Sequence, residues 1–94
     1  MFEIVNDGNG TIVLKGRFDA SQTDRVREVL EHLTDNSVLD FEGLDYISSA
    51  GLGVLLGTQK RLAGSGKGLK LIRLNNHIRE IFRIAGFDQV FEIE

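Results

Sequence analysis

The sequence predicts an α/β fold in the order β-β-α-β-α-β-α-β, with a mixed, mostly parallel sheet, an N-terminal hairpin and helices packed on it. Three observations predict it. Short apolar runs alternate with segments whose apolar residues recur at helical spacing, the pattern of strands joined by crossover helices. Two extended runs flank the turn cluster Asp7-Gly8-Asn9-Gly10, the signal of a β-hairpin. The 94 residues leave room for one small domain, 1–94, and no internal repeat divides it.

Taken in order, Phe2 to Asn6 is a short edge strand and Thr11 to Phe18 its partner. Ile12, Leu14 and Phe18 share one face, and Lys15 and Arg17 the other. Asp19 starts a helix, and Gln22 three residues on makes a capping-box-like arrangement. Val26, Val29, Leu30 and Leu33 then follow the spacing of one buried stripe, and Asp35-Asn36 closes the helix. Val38-Leu39-Asp40-Phe41 is apolar and bounded by turn residues, so it reads as a central strand, with Asp45 in the turn beyond it. The second helix runs from about Ser49 to Ala63, with an inner stripe of Leu52, Leu55, Leu56, Gln59, Leu62 and Ala63. Gly64 to Gly68 is a flexible connection and Leu69 to Leu74 another strand. Asn75 or Asn76 caps a third helix, whose stripe is Ile78, Ile81, Phe82 and Ala85 and whose stop is Gly86. Val90 to Ile93 is the last strand.

Composition narrows the function. A net charge of −3 disfavours nucleic acid or an anionic membrane as the main partner. The absence of Cys excludes disulfides, thiolate metal sites and Cys nucleophiles. The N-terminus has neither the basic region nor the apolar core of a signal peptide, and no apolar run is long enough to span a bilayer. A cytoplasmic location is the expectation.

The most informative stretch is Asp45-Tyr46-Ile47-Ser48-Ser49-Ala50-Gly51-Leu52-Gly53. It puts two hydroxyls after a strand and directly before a glycine-spaced helix. Ser49 is expected at or near the helix N-terminus, where its oxygen can cap free backbone N–H groups. Those N–H groups and the helix dipole also favour an anion, so a serine there can carry a phosphate. Locally, a plain N-cap and a phosphate-bearing switch are both open. Gly51, Gly53 and Gly57 each cost the helix roughly 1 kcal/mol relative to Ala. They mark either close packing on the sheet or a smooth face for a partner.

Other chemistries fit less well. Gly51, Gly53 and Gly57 lack the dinucleotide spacing, and no acidic residue follows a second strand. A P-loop ending at Lys67 would need Gly at Arg61 and Ser or Thr at Gly68. His32 and His77 sit on different helices with no second ligand at metal spacing, and read as solvated residues. Ser48-Ser49-Ala50-Gly51 lacks the glycine that a nucleophile elbow places two residues before its serine. No catalytic residue, metal or cofactor is therefore expected. Asp19 reads as an N-cap. Its strand and the central strand end at the same sheet edge, which is where α/β sheets place function.

Over essentially its whole length the chain resembles the STAS domains, and among them the bacterial anti-sigma factor antagonists. The resemblance rests on Gly16-Arg17-Phe18-Asp19, on Val38-Leu39-Asp40-Phe41, on Tyr46 through Leu55 and on Ile81-Phe82-Arg83-Ile84-Ala85-Gly86-Phe87. It implies partner switching in transcription regulation. The unphosphorylated antagonist binds an anti-sigma factor that is itself a serine kinase, and so releases the sigma factor. Phosphorylation ends the interaction, and a metal-dependent serine phosphatase restores it. The family's acceptor serine falls on Ser49 and its acidic residue at the first helix on Asp19. Many phosphorylated members carry Asp where this chain has Ser48, which makes Ser48 the alternative acceptor. The expected partner surface comprises Asp19, Ser48, Ser49, Gly51, Leu52, Gly53 and Leu56. Many members also continue past the last strand into a further helix, so one sheet face is expected to be less covered here. The alternative implied by the resemblance is an unphosphorylated STAS scaffold or a transporter-associated subunit.

Overall fold

In the computed structural model, which describes residues Met1–Glu94, the hairpin forms as its turn chemistry dictates. The Asp7 carboxylate accepts hydrogen bonds from the Asn9 and Thr11 N–H groups at 2.7 and 3.2 Å. Gly8 and Gly10 take the positive φ values of 80° and 90° that close the turn. Strands β1 (Phe2–Asn6) and β2 (Thr11–Phe18) then pair antiparallel, Ile4 opposite Leu14.

Every later strand adds in parallel. β3 (Ser37–Ile47), β4 (Leu69–Ile72) and β5 (Glu92–Ile93) follow in the sheet order β1-β2-β3-β4-β5. Helix α1 (Thr23–Leu30) joins β2 to β3, α2 (Ser49–Ala63) joins β3 to β4, and α3 (Asn76–Ile84) joins β4 to β5. Ile12, Leu14, Phe18, Leu39, Phe41, Leu44, Ile47, Leu69 and Leu71 bury one sheet face in a single core with residues of all three helices. The Phe82 ring meets Phe41, Phe87 and Phe91 edge-on at centroid distances of 6.0, 6.2 and 5.8 Å, which seats α3 over β3. On the other face Val13, Lys15, Arg17, Val38, Lys70 and Ile72 are half-buried or exposed.

The structure corrects several boundaries. Asp19 does not open an α-helix. Its side chain caps a 3-10 turn, Ala20–Gln22, by accepting the Ser21 N–H at 3.0 Å. Gln22 makes no reciprocal cap; its amide bonds Ser21 Oγ at 3.2 Å. β3 is much longer than Val38–Phe41, because two register shifts each absorb an extra residue against β2. Its inward residues therefore run Phe41, Leu44, Ile47, every third position, which hides the strand from a two-residue alternation. Asp45 is the extra residue at the second shift and is an exposed strand residue, not part of a turn. β4 stops at Ile72 because Arg73 turns left-handed, at φ 60°. The last strand shrinks to Glu92–Ile93, with a 3-10 turn at Phe87–Gln89 before it. Asn75, rather than Asn76, caps α3 by accepting the Ile78 N–H at 2.8 Å. Ile78 and Phe82 are buried there, while Ile81 is half-buried and Ala85 exposed. His32 lies just past α1 and His77 on α3, both exposed.

Candidate functional site

Phe18 and Ile47 stand side by side at the carboxyl ends of β2 and β3. The Ser48 N–H donates to the Phe18 carbonyl at 2.9 Å, so Asp19 and Ser49 leave the sheet as the residues that follow a bonded pair. This is the shared edge that parallel topology predicts for function.

Here the two serines part company. Ser48, in extended backbone, is the N-cap of α2, and its Oγ accepts the Gly51 N–H at 3.1 Å. The cap expected of Ser49 therefore belongs to Ser48. Ser49 is the first helical residue, is exposed, and its hydroxyl has no hydrogen-bond partner. No acidic side chain occupies the first turn of α2, so its positive dipole end is uncompensated from within the helix.

Asp19 takes its place from the capped turn, which packs against α2. Its carboxyl is held below the usual carboxylate range, first by the Ser21 hydroxyl, then by the Ser21 N–H, with a further contribution from the charge of Arg17. Arg17 in turn lies 4.2 Å over the Tyr46 ring and makes no ion pair. The sequence does not display that stack, because the second bulge in β3, not simple alternation, brings Tyr46 opposite Arg17.

The glycines of α2 divide by role. A Cβ on Gly51 would meet Ile47 Cγ1 at 3.0 Å and the Phe18 ring at 3.3 Å, so Gly51 lets the helix start press onto the sheet. Gly51 is buried and points inward, away from any partner. At Gly53 and Gly57 a Cβ would meet nothing within 4 Å. The inner stripe of α2 is accordingly Gly51, Val54, Leu55, Thr58 and Leu62, turned from the expected one. Leu52, Leu56 and Gln59 are half-buried along its flank, and Ala63 is exposed. The hydroxyl of buried Thr58 is satisfied by the Val54 carbonyl at 3.1 Å.

Asp19, Ser49, Leu52, Gly53 and Leu56 are thus brought to one end and flank of the molecule, with Ser48 half-buried among them. Beside Gly53 and Gly57 runs a shallow groove of about 260 Å³, which Arg27 of α1 and Glu31, the residue that ends α1, complete. Arg61, also on its rim, is committed to closing α1. It donates to the Leu33 and Leu30 carbonyls at 2.8 and 2.9 Å. A larger hollow of about 400 Å³ lies at the opposite sheet edge, around Asn36, Gly68 and Lys70, away from these residues. No helix is long and apolar enough to cross a membrane.

Comparison with known proteins agrees with this architecture. The family model described as "Mlab, STAS domain" matches residues 4–93. BtrV of Bordetella bronchiseptica, a candidate anti-sigma factor antagonist, is 36% identical over 91 residues, covering 93% of this chain and 78% of BtrV. The anti-sigma-B factor antagonist of Listeria monocytogenes is 32% identical over 87 residues, covering 88% of this chain and 76% of the relative. The Bacillus cell-fate determinant SpoIIAA, solved in its phosphorylated form, superposes with a TM-score of 0.72 at 20% identity. That match covers 100% of this chain and 91% of SpoIIAA, and it establishes likeness of fold.

Proposed function

This chain belongs to the STAS family, and from that premise we propose that it is an anti-sigma factor antagonist switched by phosphorylation of Ser49. In its unphosphorylated form it binds an anti-sigma factor serine kinase and frees the sigma factor. It is a regulatory protein of the cytoplasm with no catalytic residues of its own. The observation that carries this reading is the division of labour between the serines. Ser48 spends its hydroxyl on the helix cap, whereas Ser49 offers an exposed, unbonded hydroxyl at the first residue of α2.

In the transfer, the Ser49 oxygen forms a bond to the γ-phosphorus of ATP and the β,γ-bridge breaks. The serine proton leaves to a base on the kinase, and ADP departs. The new group carries about −1.5 to −2 charges. The start of α2 tolerates that charge, since it lies at the positive end of the helix dipole. A partner surface built against a neutral hydroxyl and the Leu52, Gly53 and Leu56 flank does not, because the charge would have to be desolvated there. Ionised Asp19, placed by its capped turn beside α2, adds like-charge repulsion. A serine phosphatase acting on the phosphorylated form resets the switch.

The test is incubation with an anti-sigma kinase and ATP, read by intact mass and peptide mapping. One phosphate on Ser49, lost in Ser49→Ala, supports the reading. A phosphate retained in Ser49→Ala, or found mainly on Ser48, defeats the assignment. No phosphate and no kinase complex at all would favour the scaffold role.

A further inference from the structure

The ladder between β4 and β3 ends at Asp40 opposite Ile72. β3 continues from Phe41 to Ile47 with β2 on one side and no strand on the other. This half, laddered to β2 alone, is the part that leads into Ser48 and Ser49.

Two side chains of the β4–α3 connection take the place of the missing strand. Arg73 Nε donates to Asp40 Oδ1 at 3.2 Å, its Nη2 pairs with Asp40 Oδ2, and its Nη1 lies 3.2 Å from the Glu42 carboxylate. Asn75 Nδ2 donates to the Leu44 carbonyl at 3.1 Å while its Oδ1 caps α3. Asp40 Oδ1 also accepts the Glu42 N–H at 3.0 Å, at the point where β3 first slips against β2. Asp40 is only 5% exposed, the sole buried charged residue of the chain. Arg73 is the one non-glycine residue with positive φ, a conformation that L side chains rarely adopt. The structure holds that disfavoured backbone at the position from which the guanidinium reaches Asp40.

We propose that Arg73, acting through Asp40 and assisted by Asn75, is a positioning residue that fixes the half of β3 paired on one side only, and so the placement of the Ser49 hydroxyl. This rests on reading Ser49 as the phosphoacceptor. Small displacements of a reacting group cost the transfer step more than they cost encounter. Loss of the latch therefore lowers kcat for phosphorylation rather than raising KM.

Arg73→Gly removes the guanidinium and suits the left-handed backbone, so no new strain is introduced. Two measurements are made on it beside wild type: amide hydrogen exchange in the free protein, and steady-state phosphorylation by the anti-sigma kinase. The expected result is exchange about tenfold faster at the Glu42 to Ile47 amides, with the β1–β2 hairpin unchanged. Phosphorylation should show kcat lowered about tenfold and KM within about twofold. Arg73→Lys, which keeps the charge but not the fork, should fall between. If Arg73→Gly does not fold, Arg73→Lys and Asp40→Asn carry the same comparison. Unchanged exchange and kcat would overturn the proposal. So would exchange that rises uniformly over all strands, since that marks an ordinary stability contact. Absence of phosphate on wild-type protein would instead overturn the reading of Ser49, while the local exchange pattern still decides whether Arg73 holds β3.

Discussion

Adjacent serines with the same chemistry do different work because one backbone step separates an extended cap from a helical first residue. Ser48→Ala should lose the bond to the Gly51 N–H and with it about 1 kcal/mol of stability. It should still accept phosphate at Ser49, which a thermal melt and a phosphorylation assay check together. Ser49→Asp makes the opposite case. Its melt should stay close to wild type, because a negative charge at the start of α2 complements the dipole. Its affinity for the anti-sigma kinase should fall by at least about tenfold, or ~1.4 kcal/mol, and equal titration curves would contradict that. Asp carries less charge than a phosphoserine, so phosphorylated wild type should bind more weakly still.

Among the elements, α2 has two glycine faces with separable purposes. Gly51→Val should destabilise the fold by roughly 1–3 kcal/mol, because Phe18 and Ile47 already fill the space beneath it. Gly53→Val meets open space and exchanges a poor helix former for a better one, so stability should change by less than about 0.5 kcal/mol. Kinase binding should nonetheless weaken. Denaturant unfolding beside a binding titration separates the two substitutions, and unchanged binding in Gly53→Val would remove this flank from the docking surface. The sequence already displays the hairpin, the extent of α2 and the edge where Asp19 and Ser49 emerge, since Gly-Asn turn chemistry and the Ser-Ser start are local signals. The second half of β3 was not legible, because its bulges replace alternation by a three-residue spacing at Phe41, Leu44 and Ile47. The inner stripe of α2 is hidden in the sequence for a related reason. Its anchor, Gly51, has no side chain and so leaves no mark on a hydrophobic pattern. Long-range bonds such as Arg73 to Asp40 have no local signature at all.

At the level of the whole molecule, the Asp40–Arg73 pair ties β3 to the chain beyond β4 and makes stability depend on pH. The Arg73 guanidinium, and after it the Glu42 N–H, hold the Asp40 carboxyl below its ordinary value of about 3.9. The folded state therefore binds this proton less readily than the unfolded chain. The contribution is present in full above about pH 4 and is lost as the pH falls through the depressed folded value. Asp40→Asn should be less stable than wild type at neutral pH by roughly 1–2 kcal/mol, the low end reflecting the exposure of Arg73. The two stability curves should converge on acidification, and parallel curves down to low pH would reject this. The sheet's spatial order, β1 to β5, repeats the order of the chain. Each strand after β1 therefore finds one sheet neighbour already made when it leaves the ribosome. The start of the serine-bearing helix rests on Phe18 and Ile47, both translated before it. A nascent chain that has just released α2 already holds the floor on which that helix starts, and the Arg73 and Asn75 contacts that fix β3 follow once β4 has emerged.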